Sequence, residues 1–207
     1  MRKTHLKRGR SGSVNLVIRN QPKLTFPRQI ERFVRRLYGK PCWGVKPGVG
    51  SFLTLEFGKP KLQVREPVVT IKGASASVRQ TLARRRVRVH GEWHLWIYCC
   101  HWEVLSGNKH IGDSSTKTKM RCAAEFLSGQ KLIGFSVSPR NVNCVFDFDL
   151  GASLKTRPYD ENGEQWLLFG PSHKVLTLRA DGFCKYDRSD VHEDQGRWKP
   201  IRRSQER

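Results

Sequence analysis

Gly91-Glu92-Trp93-His94-Leu95-Trp96-Ile97-Tyr98-Cys99-Cys100-His101-Trp102-Glu103-Val104 is the stretch on which the fold turns. If it is extended throughout, Trp93, Leu95, Ile97 and Cys99 share one face, and Trp96, Tyr98, Cys100 and Trp102 share the other. Both faces are apolar, the pattern of a strand covered on two sides. The reading is a central strand whose rings are core. The alternative is an aromatic platform on which bases stack; two buriable faces favour core.

Outward from this strand the chain reads mostly as β. Val87-Arg88-Val89-His90 leads into it. Upstream, Trp43–Val45, Ser51–Phe57 and Lys61–Glu66 are strands separated by Gly/Pro turns. Downstream come Lys131–Val137 and Cys144–Leu150, the latter with Phe146, Phe148 and Leu150 inward. Gln165–Phe169 and Lys174–Arg179 form a hairpin around Gly170-Pro171-Ser172, followed by Phe183–Tyr186. Three helices are expected. One opens at Phe26-Pro27 and presents Ile30, Phe33, Val34 and Leu37 as a stripe before Gly39 and Pro41 stop it. A second runs from Ser75 to Arg86, with Val78 and Leu82 inward. A third is capped by Asp113 or Ser114 and runs to Ser128, with Met120, Ala123, Ala124 and Leu127 inward. The fold class is α+β, mostly β: antiparallel meander sheets with two or three short helices packed on them. The expected organisation is a basic flexible arm over 1–24, in which Val14–Ile18 adds an edge strand, then a single β-rich domain over 25–186 that begins with a helix, and a polar C-terminal tail over 187–207.

The 207 residues carry a formal net charge of +21. Residues 1–38 hold 11 basic residues against 1 acidic, and residues 197–207 hold 5 against 1. The body between them is only mildly basic. A basic arm attracts polyanions through counterion release. The nucleic-acid candidates are therefore Lys7, Arg8 and Arg10, Arg28, Arg32, Arg35 and Arg36 on the first helix, and the run Arg84-Arg85-Arg86. No run of about 18 apolar residues is present, and Met1-Arg2-Lys3-Thr4-His5 leads into no apolar segment. A cytoplasmic protein without a membrane partner is expected.

Six cysteines are scattered without a Cys-x-x-Cys pair, which suits buried thiols. His90 and His94 on a continuous strand would share a face about 13 Å apart, too far for one metal ion. Cys100 and His101 point to opposite faces, which argues against a nucleophile–base pair and leaves a zinc site there dependent on a distant partner. Asp147 and Asp149, two apart on one strand face, offer a divalent-cation site, but no acid–x–Lys element accompanies them. No phosphate loop, dinucleotide fingerprint or nucleophile elbow is present. No catalytic, cofactor-binding or metal residue is assigned, and no cofactor is expected.

Certain residues carry a resemblance: Gly39–Gly44, Gly50–Gly58, Arg65-Glu66-Pro67, Gly91–Cys100 and Phe146–Gly151. Over residues 37–186 the chain resembles an uncharacterised bacterial family of small β-rich proteins. It is also similar in architecture to immunity proteins that neutralise bacterial toxins. The arginine-rich start departs from the family-like region.

The functional expectation is a non-catalytic binding protein, immunity-like, that meets a protein partner through an interface. The alternative is a nucleic-acid-binding protein that uses the basic N-terminal arm and the arginine clusters. A metal-dependent nuclease centred on Asp147 and Asp149 is the second alternative.

Overall fold

In Trp93–Ile97 (β6), Trp93, Leu95 and Ile97 are buried while His94 and Trp96 face outward and are half-buried. The same alternation repeats across a seven-stranded antiparallel sheet in this computed structural model, which describes residues 24–25, 28–68, 73–138, 140–190 and 196–203. In spatial order the sheet comprises Lys199–Pro200 (β15), Phe183–Arg188 (β14), Lys174–Arg179 (β13), Glu164–Gly170 (β12), β6, Leu53–Phe57 (β3) and Cys42–Pro47 (β2). A second antiparallel sheet of five strands holds, in order, Lys109–Asp113 (β8), Cys100–Ser106 (β7), Ala152–Pro158 (β11), Cys144–Phe148 (β10) and Leu132–Val137 (β9). Lys61–Arg65 (β4) and Arg86–His90 (β5) form a separate two-stranded ribbon, and Leu24–Thr25 (β1) pairs with Arg202–Arg203 (β16). The C-terminal segment, expected as a tail, thus returns to β structure at β15 and β16.

The two large sheets share one apolar core. Leu55, Phe57, Leu95, Trp166 and Leu176 supply it from one sheet, and Val104, Leu132, Phe146 and Leu154 from the other. Helix Arg28–Arg35 (α1) and the turn after it add Phe33, Val34 and Leu37. Helix Lys117–Leu127 (α3) adds Met120, Ala123, Ala124 and Leu127, the stripe its sequence predicts. Among the described residues no helix is long and apolar enough to cross a membrane.

Four local expectations need correction. First, the stretch Trp93–Val104 is two strands in two sheets. The Cys100 N–H donates to the Tyr98 carbonyl at 2.9 Å, a three-residue turn that breaks the alternation. Trp96 and Tyr98 therefore stay on the outer side with Phe52, whose ring lies 5.8 and 4.7 Å from theirs. Cys100, Trp102 and Val104 instead turn into the core. Second, the helix expected over 75–86 ends sooner, as Ala76–Leu82 (α2), and buries none of its residues; Val78 is exposed. Arg84 and Arg85 follow its cap, and Arg86 opens β5. Third, Leu150 lies past the end of β10 in a turn and is exposed. Fourth, Thr116 caps α3, accepting from the Lys119 N–H at 3.3 Å.

Asp113, expected at that cap, organises the preceding turn instead. It accepts from the Ser115 N–H and hydroxyl and from Lys119 Nζ at 3.1 Å, and it lies 3.2 Å from His110 Nε2. Partial burial pushes its carboxyl up, but these donors outweigh burial and hold it at about 2. A carboxyl depressed on folding adds stability above its ordinary pKa and loses it as pH falls toward the folded value. Asp113→Asn should therefore cost about 1 kcal/mol near neutral pH, after screening at a partly exposed site. In urea unfolding the gap to wild type should narrow as pH drops below about 4; a gap constant with pH would exclude the carboxylate as its source.

Candidate functional site

The pleat of β3 sends Leu53, Leu55 and Phe57 into the core and leaves Glu56 on the opposite face. Strand pairing then builds a row across that outer face. Glu56 lies opposite Trp43 of β2 on one side and His94 of β6 on the other, and His94 lies opposite Phe169 of β12. Glu56 is nonetheless 8% exposed, because the chain folds over it.

The residue that permits this is Gly91, between β5 and β6. A Cβ at this position would stand 2.5 Å from the Phe57 carbonyl oxygen and 2.8 Å from the Phe57 nitrogen. The bare backbone of Gly91 rests on β3, and its N–H donates to Glu56 Oε2 at 2.9 Å. That turn delivers His90 from the end of the ribbon to the carboxylate. His94 Nδ1 is 2.9 Å and His90 Nδ1 3.5 Å from Glu56 Oε1. The imidazole centroids are 6.3 Å apart, about half the separation a continuous strand would impose. Burial pushes the Glu56 carboxyl up; the His94 and Gly91 hydrogen bonds and the nearby imidazoles outweigh it, so the net shift is downward. The Nε2 atom of His90 is buried and has no hydrogen-bond partner.

His90 and His94 line a cleft of about 600 Å3. Half-buried Trp96 and Phe169 share the lining, and Lys61, Gln63, His173 and Lys174 contribute polar groups. The ribbon leads into it. In the β4–β5 register Lys61 faces His90, Gln63 faces Arg88, and Arg65 faces Arg86. Opposed residues share a face, so these six form one polar, strongly basic side. Leu62, Val64, Val87 and Val89 form the other side, between 51% and 71% exposed. Arg85 pairs with Glu66 at 2.9 Å; Arg65, Arg84, Arg86 and Arg88 make no ion pair among the described residues. Residues 61–90 hold eight basic residues and one acidic residue, while the remainder of 39–196 holds fifteen of each. The whole charge excess of the body thus lies in the ribbon and its connection through α2.

The sequence candidates fall into three groups. Lys7, Arg8 and Arg10 lie outside the described residues, as does the expected edge strand at 14–18. Arg28 opens α1; Arg32, Arg35 and Arg36 are exposed on it or just beyond it, Arg35 paired with Glu31 at 2.6 Å. Arg84, Arg85 and Arg86 lead into the ribbon. The sequence reading did not select Lys61, Arg65 or Arg88, although the charge count over 61–90 marks them. Nor did it bring His90, His94 and Glu56 together.

Other candidates are held in structural roles. Asp147 accepts from the Ser153 hydroxyl at 2.7 Å, and Asp149 accepts from the Lys131 N–H at 2.7 Å. Cys100 is buried and donates to the Gln165 carbonyl, whereas His101 is exposed against Tyr159. Burial raises the thiols of Cys42 and Cys100, lifts Cys144 to about 12 and Cys184 to about 11. Thiols so raised are poor nucleophiles.

Comparison with protein-family models, curated proteins and solved structures returns no match for this chain. Its function is therefore read from the chemistry of the cleft and ribbon.

Gly91→Ala tests the turn that joins them. The added methyl meets backbone on both sides, so the strand must shift. A loss of about 2 kcal/mol or more in urea unfolding is expected, with weaker protection of the β3 amides in hydrogen exchange. A neutral substitution would mean that β3 does not constrain this turn.

Proposed function

We propose that the protein binds nucleic acid along the basic face of the β4–β5 ribbon, with an unpaired base entering the cleft at its foot. The observation that carries this reading is the concentration of unpaired cationic side chains on one face of the ribbon. Same-face residues of a strand repeat every 6.7 Å or so, close to two phosphate steps of about 3.4 Å axial rise. Guanidinium groups also suit phosphate better than a compact ammonium does. Half-buried Trp96 and Phe169 offer faces on which a base stacks. This is the alternative the sequence raised, carried by a different set of residues.

A second reading has its own observation. The opposite side of the ribbon presents Leu62, Val64, Val87 and Val89 to solvent as one apolar patch. Such patches mark contacts with other proteins, in line with the protein-interface expectation. On that reading Leu62→Ser with Val89→Ser weakens partner binding and leaves nucleic-acid affinity unchanged.

Fluorescence anisotropy with labelled single-stranded and duplex oligonucleotides, titrated across salt, tests the main reading. Wild-type affinity should fall steeply with salt and favour the single strand. Lys61→Ala, Arg65→Ala and Arg88→Ala combined should weaken binding at least tenfold and flatten the log–log salt slope by about 2, at about 0.7 per phosphate contact. All three side chains are exposed, so the fold should hold. Binding and slope unchanged in the triple variant would reject the ribbon as the nucleic-acid surface.

A further inference from the structure

We infer that Glu56, His90 and His94 form a zinc site whose open coordination position faces the cleft. The donor atoms of these three side chains all lie within 4.8 Å of one another, the only such group of three among the described residues. Two donors bound to one zinc at about 2.05 Å and the tetrahedral angle stand about 3.3 Å apart. The Glu56 Oε1 contacts at 2.9 and 3.5 Å bracket that value, and the imidazole donors lie within the same 4.8 Å span.

The surroundings match what a metal centre needs. The second carboxylate oxygen of Glu56 is tied to the Gly91 N–H, which orients the first toward the imidazoles, as outer hydrogen bonds do for metal ligands. The imidazoles come from two elements meeting at one turn, and strand pairing fixes His94 opposite Glu56. Two imidazoles and one carboxylate suit zinc over magnesium or calcium, which favour all-oxygen sets. Three protein ligands leave a fourth position for an exchangeable group. His90 and His94 line the cleft wall, so that position takes water or an oxygen donor arriving through the cleft.

The inference goes beyond nucleic-acid binding and stands apart from it. Its test is zinc affinity, measured on metal-stripped full-length protein against a chromophoric chelator, with Co2+ absorption as the reporter of coordination. Wild type should bind one zinc ion, show the visible bands of four-coordinate cobalt, and gain thermal stability with added zinc. His94→Ala and His90→Ala should each weaken zinc at least a hundredfold and abolish the cobalt bands, while circular dichroism shows them folded. Glu56→Gln should weaken zinc while keeping the side-chain shape. His110→Ala and Cys122→Ala, at exposed positions outside the cluster, should leave zinc affinity and the cobalt bands unchanged. Undiminished zinc binding in folded His94→Ala, or no zinc-induced stabilisation of wild type, would overturn the site.

Discussion

The indole of Trp166 is 1% exposed, with its ring 5.4 Å from that of Phe135 and 5.8 Å from that of Phe146, and its N–H donates to Cys144 Sγ. This contact joins the seven-stranded sheet to the five-stranded one. Each sheet buries its apolar face against the other and against the helices packed beside them. Once Trp166, Leu95 and Leu55 are committed inward, the pleat leaves no choice for their neighbours. Glu56, His94 and Phe169 must stand on the outer face, side by side across three strands. The row of side chains under the cleft is thus a geometric by-product of the core.

Keeping a carboxylate such as Glu56 almost wholly out of water is costly unless its oxygens are satisfied. The Gly91 N–H and the two imidazoles meet that demand. They do so only because Gly91 lets a second strand connection lie directly on the backbone of β3. The same contact sets where the ribbon leaves the body. Its basic face therefore ends at His90, and one turn of chain serves both cleft and ribbon.

Much of the fold was legible because it follows from period-two alternation and turn residues. The hairpin around Gly170-Pro171-Ser172, the strand Leu132–Val137 and the buried stripe of α3 all appear where their side chains predict. Alternation fails where the chain changes sheets. Nothing in Tyr98-Cys99-Cys100 announces a three-residue turn, since each residue is also a good strand former. A run read as one strand with two buried faces is two strands with one buried face each. The same limit hid the Glu56–His90–His94 cluster. Rise along a strand separates His90 from His94, and only the turn at Gly91 brings them back together. A glycine there marks either flexibility or close approach, and the distinction needs Phe57, distant in sequence. The charge concentration over 61–90 was readable from composition; its sorting onto one face required the register of β4 against β5.

The ribbon buries almost nothing. Its ten strand residues are exposed or half-exposed, and α2, which connects its strands, contributes no core residue. Two isolated strands are marginally stable in water, so the ribbon depends on its attachment to the body at Gly91. Whatever settles on it must also rigidify it. A ligand that orders it would lose part of its interaction energy to backbone entropy, a cost that weighs more on short ligands than on long, continuous ones.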